Sequence, residues 1–281
     1  WKYLKPLSKI ENGEVAVDSA QDYYRRGAQY HKEDKYGIAI EFYSKAIKFK
    51  SDYLEAHYDR GVAYLLKGNY DEAILDFTIV LDLKLDYAAA YFNRGMAYGH
   101  KVDVDRSIDD YSKAIELKSD YIEAYIERGL WYGGKGAYDK AIPDYSKAIE
   151  LNPMMPLAYI LRGFVYDSKG NDDKAITDYN KAIELNPTGA DAFRAYCFRG
   201  GNYEKKGDHS KAIADYSTAI ELKPDDGESY SERGDVYYKK GNYDKAIVDY
   251  SKAIEFGPIS PTYNYKQRGL AYYKKGRYEK A

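Results

Sequence analysis

The sequence has little of what disulfide-rich, membrane-spanning or strongly basic proteins contain. Its 281 residues include one cysteine, four histidines, two tryptophans and three methionines, and Lys plus Arg (43) nearly balance Asp plus Glu (45). The single cysteine, Cys197, excludes an internal disulfide and leaves the redox compartment undecided. The balanced charge gives no general attraction to nucleic acid or to an anionic membrane. No apolar stretch approaches the ~18 residues of a membrane-spanning helix, so we expect no membrane span.

Residues with the spacing of a catalytic or metal site are also missing. The four histidines are scattered without metal-ligand spacing, and Cys197 has no histidine close by before His209. The glycines recur at a fixed period and form no phosphate-binding loop. We therefore predict no catalytic residue, no metal site and no cofactor, and a protein that is not an enzyme.

What the sequence does contain is a repeat. The dipeptide Arg-Gly returns eight times, and the steps between its glycines are 34, 34, 34, 34, 37, 34 and 35 residues. A fixed period near 34 is typical of a helical solenoid, in which each repeat is too small to bury its own apolar face and must stack on its neighbours. The glycines are Gly27, Gly61, Gly95, Gly129, Gly163, Gly200, Gly234 and Gly269.

The same frame surrounds each glycine, which we number as repeat position 8. Position 4 is tyrosine in seven of the eight repeats, position 11 is always tyrosine, and position 20 is small. Position 24 is aromatic from Tyr43 to Tyr250, and position 27 is alanine except for Val80. Positions 4, 8 and 11 share one side of a helix, and positions 20, 24 and 27 share one side of the next. Most of the 35 tyrosines are therefore predicted to be packing residues.

This frame resembles the tetratricopeptide repeat (TPR) family over about residues 20–281. The resemblance implies an all-α fold: a right-handed superhelical solenoid of antiparallel helix pairs, with seven complete repeats and a truncated eighth. Helix A of each pair would cover positions 1–14, and helix B positions 15–31. We expect residues 1–19, with Pro6 and the turn pair Asn12-Gly13, to form a cap or linker. The repeats are expected near 20–53, 54–87, 88–121, 122–155, 156–189, 190–226, 227–261 and 262–281.

Three departures from the frame carry structural expectations. The 37-residue step adds Ala190, Asp191 and Ala192, which predicts a longer helix A or a longer loop in repeat six. Pro143 lies inside a predicted helix B, where it removes one hydrogen bond and favours a local kink. Position 15 is glycine in six repeats, as a turn requires, but Val102 takes that position in repeat three and predicts an atypical hairpin.

Arginine at position 7 and aspartate at position 23 recur together in repeats two to seven. We interpret them as structural ion pairs, worth ~0–1 kcal/mol each if partly exposed. The alternative is a row of arginines that binds an anion. The predicted pairs are Arg60/Asp76, Arg94/Asp110, Arg128/Asp144, Arg162/Asp178, Arg199/Asp215 and Arg233/Asp249.

In the family that the frame resembles, helix A lines a concave groove, and positions 2, 5, 9, 12 and 13 face the ligand. Positions 5 and 9 are mostly apolar in repeats one to five and lose that character in repeats six to eight. We predict a partly exposed peptide-binding groove at these positions. The alternative is that the same side chains only pack between neighbouring A helices. The predicted groove residues are Tyr24, Tyr58, Val62, Phe92, Met96, Ile126, Leu130, Ile160 and Phe164.

Two other modes of binding were weighed. The family's carboxylate clamp for chaperone C-termini needs Lys at position 5 and Asn at position 9, but Lys266 is followed by Leu270, so we predict no clamp. A basic rim for an acidic peptide could come from Arg194 and the lysines before the turn glycines. Because lysine is favoured at helix C-termini by the helix dipole alone, we expect these lysines to be solvated turn residues. They are Lys205, Lys206, Lys239, Lys240, Lys274 and Lys275.

The sequence therefore predicts a non-enzymatic scaffold that binds a protein or peptide through the groove. Two alternatives remain open: a structural solenoid that assembles with copies of itself through the groove, and a docking or sensor arm of a larger truncated protein. We expect no nucleic-acid partner and, by default, a cytoplasmic location. A leader or anchor removed before Trp1 stays possible, and we expect the natural protein to continue past Ala281.

Overall fold

The computed structural model describes residues 10–11, 14–15, 19–257 and 261–276. Two short antiparallel strands, β1 (Ile10–Glu11) and β2 (Glu14–Val15), precede the helices, and Ile10 pairs with Val15. The predicted turn pair Asn12-Gly13 and most of the predicted cap lie outside the described residues. The chain divides into two compact units, Trp1–Ala124 and Tyr125–Ala281, here called the first and second unit.

All other regular structure in the described residues is α-helical, so the all-α prediction is confirmed. The A helices are α1 (Ala20–Lys32), α3 (Leu54–Leu66), α5 (Ala88–His100), α7 (Ile122–Gly134), α9 (Pro156–Ser168), α11 (Ala190–Lys205), α13 (Gly227–Lys239) and α15 (Pro261–Lys274). The B helices are α2 (Tyr36–Phe49), α4 (Tyr70–Leu83), α6 (Val104–Leu117), α8 (Tyr138–Leu151), α10 (Asp172–Leu185), α12 (His209–Leu222) and α14 (Tyr243–Glu255). The A helices begin within one residue of the predicted repeat starts.

Within each unit, an A helix packs on its own B helix and that B helix packs on the next A helix. Such contacts join α2 to α3 and α4 to α5 in the first unit, and α10 to α11 and α12 to α13 in the second. This is the stacked helical hairpin of a solenoid, as predicted. The beginning of the eighth B helix, expected at residues 277–281, lies outside the described residues.

The core of each hairpin is a glycine set against an aromatic ring. Tyr179 at position 24 is fully buried, and a Cβ added at Gly163 would lie only 2.8 Å from its Cε1. The same short approach occurs between Gly61 and Phe77 at 2.9 Å. Any larger residue at position 8 would push the two helices apart, which explains why the glycine recurs with the ring.

The turns between helices A and B require a left-handed backbone. The glycines at position 15 have φ between +71° and +79°, a region that L side chains rarely adopt. Asp34 and Val102 take the same conformation with φ of +57° and +61°. Valine is β-branched, so the atypical hairpin predicted for repeat three is a strained copy of the same turn.

The other departures keep the fold intact. α11 has 16 residues whereas α9 and α13 have 13, so the three extra residues lengthen helix A, which was one of the two predicted outcomes. α8 runs through Pro143 without ending. The local kink expected there stays a prediction. The lengthened α11 changes the surface that the next subsection describes.

Candidate functional site

The arginines at position 7 are held by the fold and do not form an anion site. In all six predicted pairs the arginine Nε donates to Oδ2 of the aspartate at 2.8–2.9 Å and Nη2 donates to Oδ1 at 2.6–2.9 Å. This bidentate geometry is the strongest that arginine and a carboxylate can make. The structural interpretation of the pairs is confirmed.

A third donor from the same arginines reaches back to the preceding repeat. Nη1 of Arg60 donates to Ser44 Oγ at 2.9 Å, and Nη1 of Arg233 donates to Ser217 Oγ at 2.9 Å. The aspartate side chains of the pairs are only 2–8% exposed, whereas those of the arginines are 17–21% exposed. The net contribution of ~0–1 kcal/mol expected for each pair stays a prediction. Breaking a buried pair leaves an uncompensated charge and costs ~3–5 kcal/mol.

The predicted groove residues of the first unit are half-buried, and their rings pack within their own repeats. Tyr58 at position 5 stacks on Tyr87 with ring centroids 5.0 Å apart and lies 5.9 Å from Phe77. Phe92 makes the equivalent contacts with Tyr121 at 4.8 Å and Tyr111 at 5.6 Å. Position 5 therefore serves packing and leaves only part of each ring for a ligand.

The hydroxyl groups at position 5 also bond to the next A helix. Tyr24 Oη donates to Asp59 Oδ2 at 2.7 Å, and Asn93 Nδ2 donates to Tyr58 Oη at 2.9 Å. At position 9 of the same unit, Val62 is half-buried. Met96, in the same repeat position of α5, is half-buried too. The helix A face of the first unit is thus a partly covered aromatic surface.

Two predicted groove residues are not exposed. Ile126 is 8% exposed and Ile160 is 3% exposed, so the expectation that they are partly exposed in the lone chain is wrong. Ile160 belongs to a core cluster with Tyr159, Tyr179 and Ala195. An isoleucine at position 5 is too short to extend past the aromatic ring at position 24, whereas a tyrosine or phenylalanine does.

Two of the predicted groove residues, both at position 9 in the second unit, are exposed. Leu130 on α7 is 42% exposed and Phe164 on α9 is 48% exposed. The ring of Phe164 contacts Phe198 of α11 with centroids 5.6 Å apart. These two side chains form the part of the predicted groove that a ligand can reach most easily.

Beyond Phe198 the helix A face opens into a cavity of about 410 Å³. Three aromatic side chains (Phe193, Phe198 and Tyr216) and Cys197 line it. Gly201 at position 9 provides room because it has no side chain. The remaining walls are mainly polar: Asp167, Arg194, Asn202, Lys205, Asp226, Glu228, Ser229 and Glu232. We call this space the α11–α13 cavity.

Two acidic side chains of the cavity, Glu228 and Glu232, have no ion-pair partner among the residues that the structure describes. Burial, with the nearby charges of Asp235, Glu204 and Glu228, raises the pKa of Glu232 to about 7. Tyr216 Oη, 3.4 Å from Glu232 Oε2, is the hydrogen-bond donor to that carboxylate. Burial also raises the pKa of Cys197 to about 11, so its thiol stays protonated and is no nucleophile.

The lysines before the turn glycines do not form a basic rim. Lys206 Nζ lies 2.6 Å from Asp173 Oδ1, and Lys205 Nζ lies 2.6 Å from Asp167 Oδ1. Lys239 pairs with Glu204, and Lys275 pairs with Asp244. These four lysines have carboxylate partners in neighbouring repeats and so link adjacent repeats, whereas Lys240 Nζ donates to Ser210 Oγ at 3.3 Å.

Sequence reasoning missed the residues that make the cavity. Asn202, Glu228 and Glu232 were not selected, because they fall where the apolar stripe stops. Their signal in the sequence was the glycine at position 9 of α11, where the five preceding repeats have a larger residue. Reading each groove position for loss of volume and gain of charge, as well as for apolar character, would have found them.

Comparison with known proteins identifies the class and then the family. Profiles described as TPR repeat match residues 27–68, 132–170, 200–241 and 234–276. Profiles described as tetratricopeptide repeat match residues 58–122 and 156–188. The chain is thus a helical repeat protein, and it belongs to the tetratricopeptide repeat family. No curated protein matches it.

Solved structures agree with this assignment. A crystal structure of MamA is 30% identical, covers 60% of this chain and 92% of its own, and has a TM-score of 0.57. The C-terminal part of a TPR repeat-containing protein from Cytophaga hutchinsonii is 21% identical, covers 85% of this chain and 97% of its own, and has a TM-score of 0.71.

A third solved structure carries a functional title. YrrB, described as a TPR protein with an unusual peptide-binding site, is 24% identical, covers 71% of this chain and 97% of its own, and has a TM-score of 0.56. At this identity the likeness supports the fold alone. Among the described residues, no helix is long and apolar enough to cross a membrane.

Proposed function

We propose that this chain is a non-enzymatic scaffold that binds a short peptide segment of a partner protein on its A helices. The observation that carries the proposal is the exposure of Leu130 and Phe164, at 42% and 48%, on helices whose other apolar positions are occupied in packing. Contiguous exposed apolar patches mark interaction surfaces, and Leu130 and Phe164 occupy the same repeat position on successive A helices. Family membership and the peptide-binding title of YrrB are consistent with this role.

A short peptide suits the site better than a second copy of the chain. Phe164 leads through Phe198 to the α11–α13 cavity, whose volume of about 410 Å³ matches one or two side chains. A concave site of ~300–1,000 Å³ with a few polar groups is typical of small or peptide ligands. A folded partner would need a broad flat contact of ~800 Å² per side.

Selection from a displayed library of random peptides tests the proposal. The full chain is expected to enrich peptides with apolar anchors. The double variant Leu130→Asp/Phe164→Asp should weaken binding of the enriched peptides by ~10-fold or more, because central apolar contacts contribute most of the binding energy. Its free energy of unfolding should change by only ~1 kcal/mol, because both side chains are largely exposed.

A matched control uses exposed apolar residues away from the A helices. Met154 is 70% exposed before α9, and Val248 is 59% exposed on α14. The double variant Met154→Asp/Val248→Asp should bind the peptides as the wild type does. Equal losses in both double variants, or no enriched peptide at all, would reject the proposal. Light scattering tests the alternative: dimers that dissociate in Leu130→Asp/Phe164→Asp would favour self-assembly.

A further inference from the structure

The α11–α13 cavity exists because two side chains that close the equivalent space in the first unit are replaced. Position 9 of α11 is Gly201, which has no side chain. The residue just before the next A helix is Asp226, and the residues at that place in the first unit include Tyr53 and Tyr87. Those tyrosines pack on Tyr24 and Tyr58 with centroids 5.2 and 5.0 Å apart. Asp226 instead caps α13 by accepting from Ser229 N at 2.9 Å, which turns its side chain to the helix end.

The charges around the cavity leave two carboxylates without a cation. Asp167 is paired with Lys205 at 2.6 Å, and Asp226 is paired with Lys223 at 3.1 Å. Arg194 lies 3.8 Å from Asp191 and is largely exposed. In the described part of the chain, Glu228 and Glu232 have no ion-pair partner, although both line the cavity. A ligand that enters this space therefore meets uncompensated negative charge.

An unpartnered acceptor lies in the same wall. Asn202 is 1% exposed, and its Nδ2 donates to Phe198 O at 2.9 Å. Its Oδ1 is buried and has no hydrogen-bond partner among the described residues. A buried acceptor without a donor destabilises the free protein, so a ligand that donates a hydrogen bond here removes that penalty when it binds.

The shape of the walls selects among cationic groups. Phe193, Phe198 and Tyr216 line the cavity together with these acceptors, and Lys223 Nζ already lies 5.4 Å from the ring centroid of Phe193. A planar guanidinium stacks on aromatic faces and carries five donors in a fixed fork, whereas an ammonium is a compact and strongly hydrated charge. A guanidinium can therefore satisfy separated carboxylates and an amide oxygen at once.

We infer that the α11–α13 cavity binds an arginine side chain of the partner peptide, through Glu228, Glu232, the Oδ1 of Asn202 and the aromatic walls. This inference deepens the proposed function and depends on it: the apolar anchors contact Leu130 and Phe164, and the arginine enters the cavity beyond Phe198.

The protonation of Glu232 supports the inference. The groups that face Glu232 are Tyr216, Asp235, Glu204, Glu228 and Lys239, and Lys239 is itself paired with Glu204. Burial among these carboxylates raises the Glu232 pKa to about 7. A guanidinium favours the ionised form and lowers this pKa, so binding should take place with release of a proton near neutral pH.

The same library selection tests the inference when the enriched peptides are sequenced and their residue types are compared with those of the starting library. The full chain should enrich peptides that combine apolar residues with arginine. Glu228→Gln/Glu232→Gln should lower the affinity of those peptides at least ~10-fold, since the guanidinium loses both of its ionised hydrogen-bond acceptors. Replacing the peptide arginine with citrulline, which keeps the shape without the charge, should cause a similar loss.

Two further variants separate a lost site from a lost fold. Glu150→Gln/Glu184→Gln removes the same charge from exposed helix surfaces, where each acid pairs with a lysine, and should leave affinity unchanged. Gly201→Leu should fill the cavity without altering charge. A Cβ added at that position would lie 3.6 Å from Tyr216 Oη, an ordinary contact, so the helix backbone accepts a side chain there. This variant should also lose arginine preference.

Each outcome tests either the inference or the proposed function on which it depends. Apolar peptides enriched without arginine would overturn the inference and leave the proposed function standing. Arginine enrichment that survives both Glu228→Gln/Glu232→Gln and Gly201→Leu would place the arginine elsewhere and also overturn it. Failure to enrich any peptide would reject the proposed function together with the inference. Binding of acetyl-arginine amide as tight as that of the peptides would identify a small guanidinium ligand in place of a partner segment.

Discussion

The A helices of the first unit and the pair α11 and α13 of the second share one frame but present different surfaces. Position 5 is Tyr24, Tyr58 and Phe92 in the first unit, and Cys197 and Ser231 in α11 and α13. The aromatic residues rest on tyrosines at the repeat ends, whereas α11 and α13 enclose a cavity with acidic walls.

The difference teaches which positions the repeat uses for stacking and which it leaves to vary. Both surfaces keep the glycine at position 8 against a buried ring and the arginine at position 7 on its aspartate. A Cβ added at Gly95 would lie 3.0 Å from Cε1 of Tyr111, and one added at Gly234 would lie 3.0 Å from Cε1 of Tyr250. Stability therefore depends on the shared frame, and ligand chemistry depends on positions 5, 6 and 9 and on the residue before the next A helix.

The largest effect is expected from breaking the shared frame in either unit. Asp110→Ala and Asp249→Ala should each cost ~3–5 kcal/mol, since each leaves a half-buried arginine without its carboxylate. Denaturant unfolding of the full chain measures this. The exposed pair Lys113–Glu116 provides the control, and Glu116→Gln should cost less than ~0.5 kcal/mol. A large loss in one unit and almost none in the other would contradict a shared frame.

A smaller effect on the free energy of unfolding is expected from Glu232, in the acidic wall of the α11–α13 cavity. The folded-state pKa of Glu232, about 7, lies above the ordinary value of 4.5, so the folded chain binds the proton more tightly than the unfolded chain. The stability this gives is complete below pH 4.5 and is lost as pH rises through 7. Glu232→Gln should therefore be more stable than wild type by ~1–3 kcal/mol at pH 8 and equal to it at pH 4.

Thermal midpoints of the two proteins between pH 4 and pH 8 check this prediction. The curves should separate between pH 4.5 and about 7, where only the folded chain keeps the proton, and run parallel above that. The equivalent substitution of an exposed acid, Glu184→Gln, should run parallel to wild type throughout, because that side chain is 69% exposed beside Lys181. Parallel curves for Glu232→Gln as well would mean that the carboxylates of the cavity do not repel one another.

The smallest effect concerns the turns, where the two units also differ. The second unit has glycine at position 15 in every described turn between helices A and B, whereas the first unit has Asp34 and Val102 there. Val102→Gly should stabilise the chain by ~1 kcal/mol, because valine is strained at a φ of +61°. Asp34→Gly should gain less, since aspartate tolerates this conformation. A loss of stability in Val102→Gly would contradict the strain.

The frame could be predicted from the sequence because it repeats. Eight copies fix the starts of the A helices, and the sixteen-residue spacing of Arg94 and Asp110 places their side chains together wherever two helices pair. The alternation of a small and a large residue, such as Gly163 and Tyr179, could be inferred for the same reason.

The groove was harder to predict because exposure depends on the length of a side chain relative to its neighbour. Ile160 and Tyr58 occupy the same repeat position, yet the first is buried and the second is half-exposed. The cavity beside Gly201 results from two coincident losses of volume in different helices. A pattern read one helix at a time does not reveal that combination.

Side-chain footprinting with hydroxyl radicals tests most directly whether the A-helix face contacts the peptide. In the account given above, the residues of the shared frame stabilise the fold and do not contact the peptide. Oxidation of the full chain, followed by mass spectrometry, measures the exposure of each side chain with and without a selected peptide. We expect Leu130, Phe164 and Phe198 to become protected and the exposed Met154 and Val248 to react unchanged. Protection of Met154 or Val248, with Phe164 still reactive, would contradict the account.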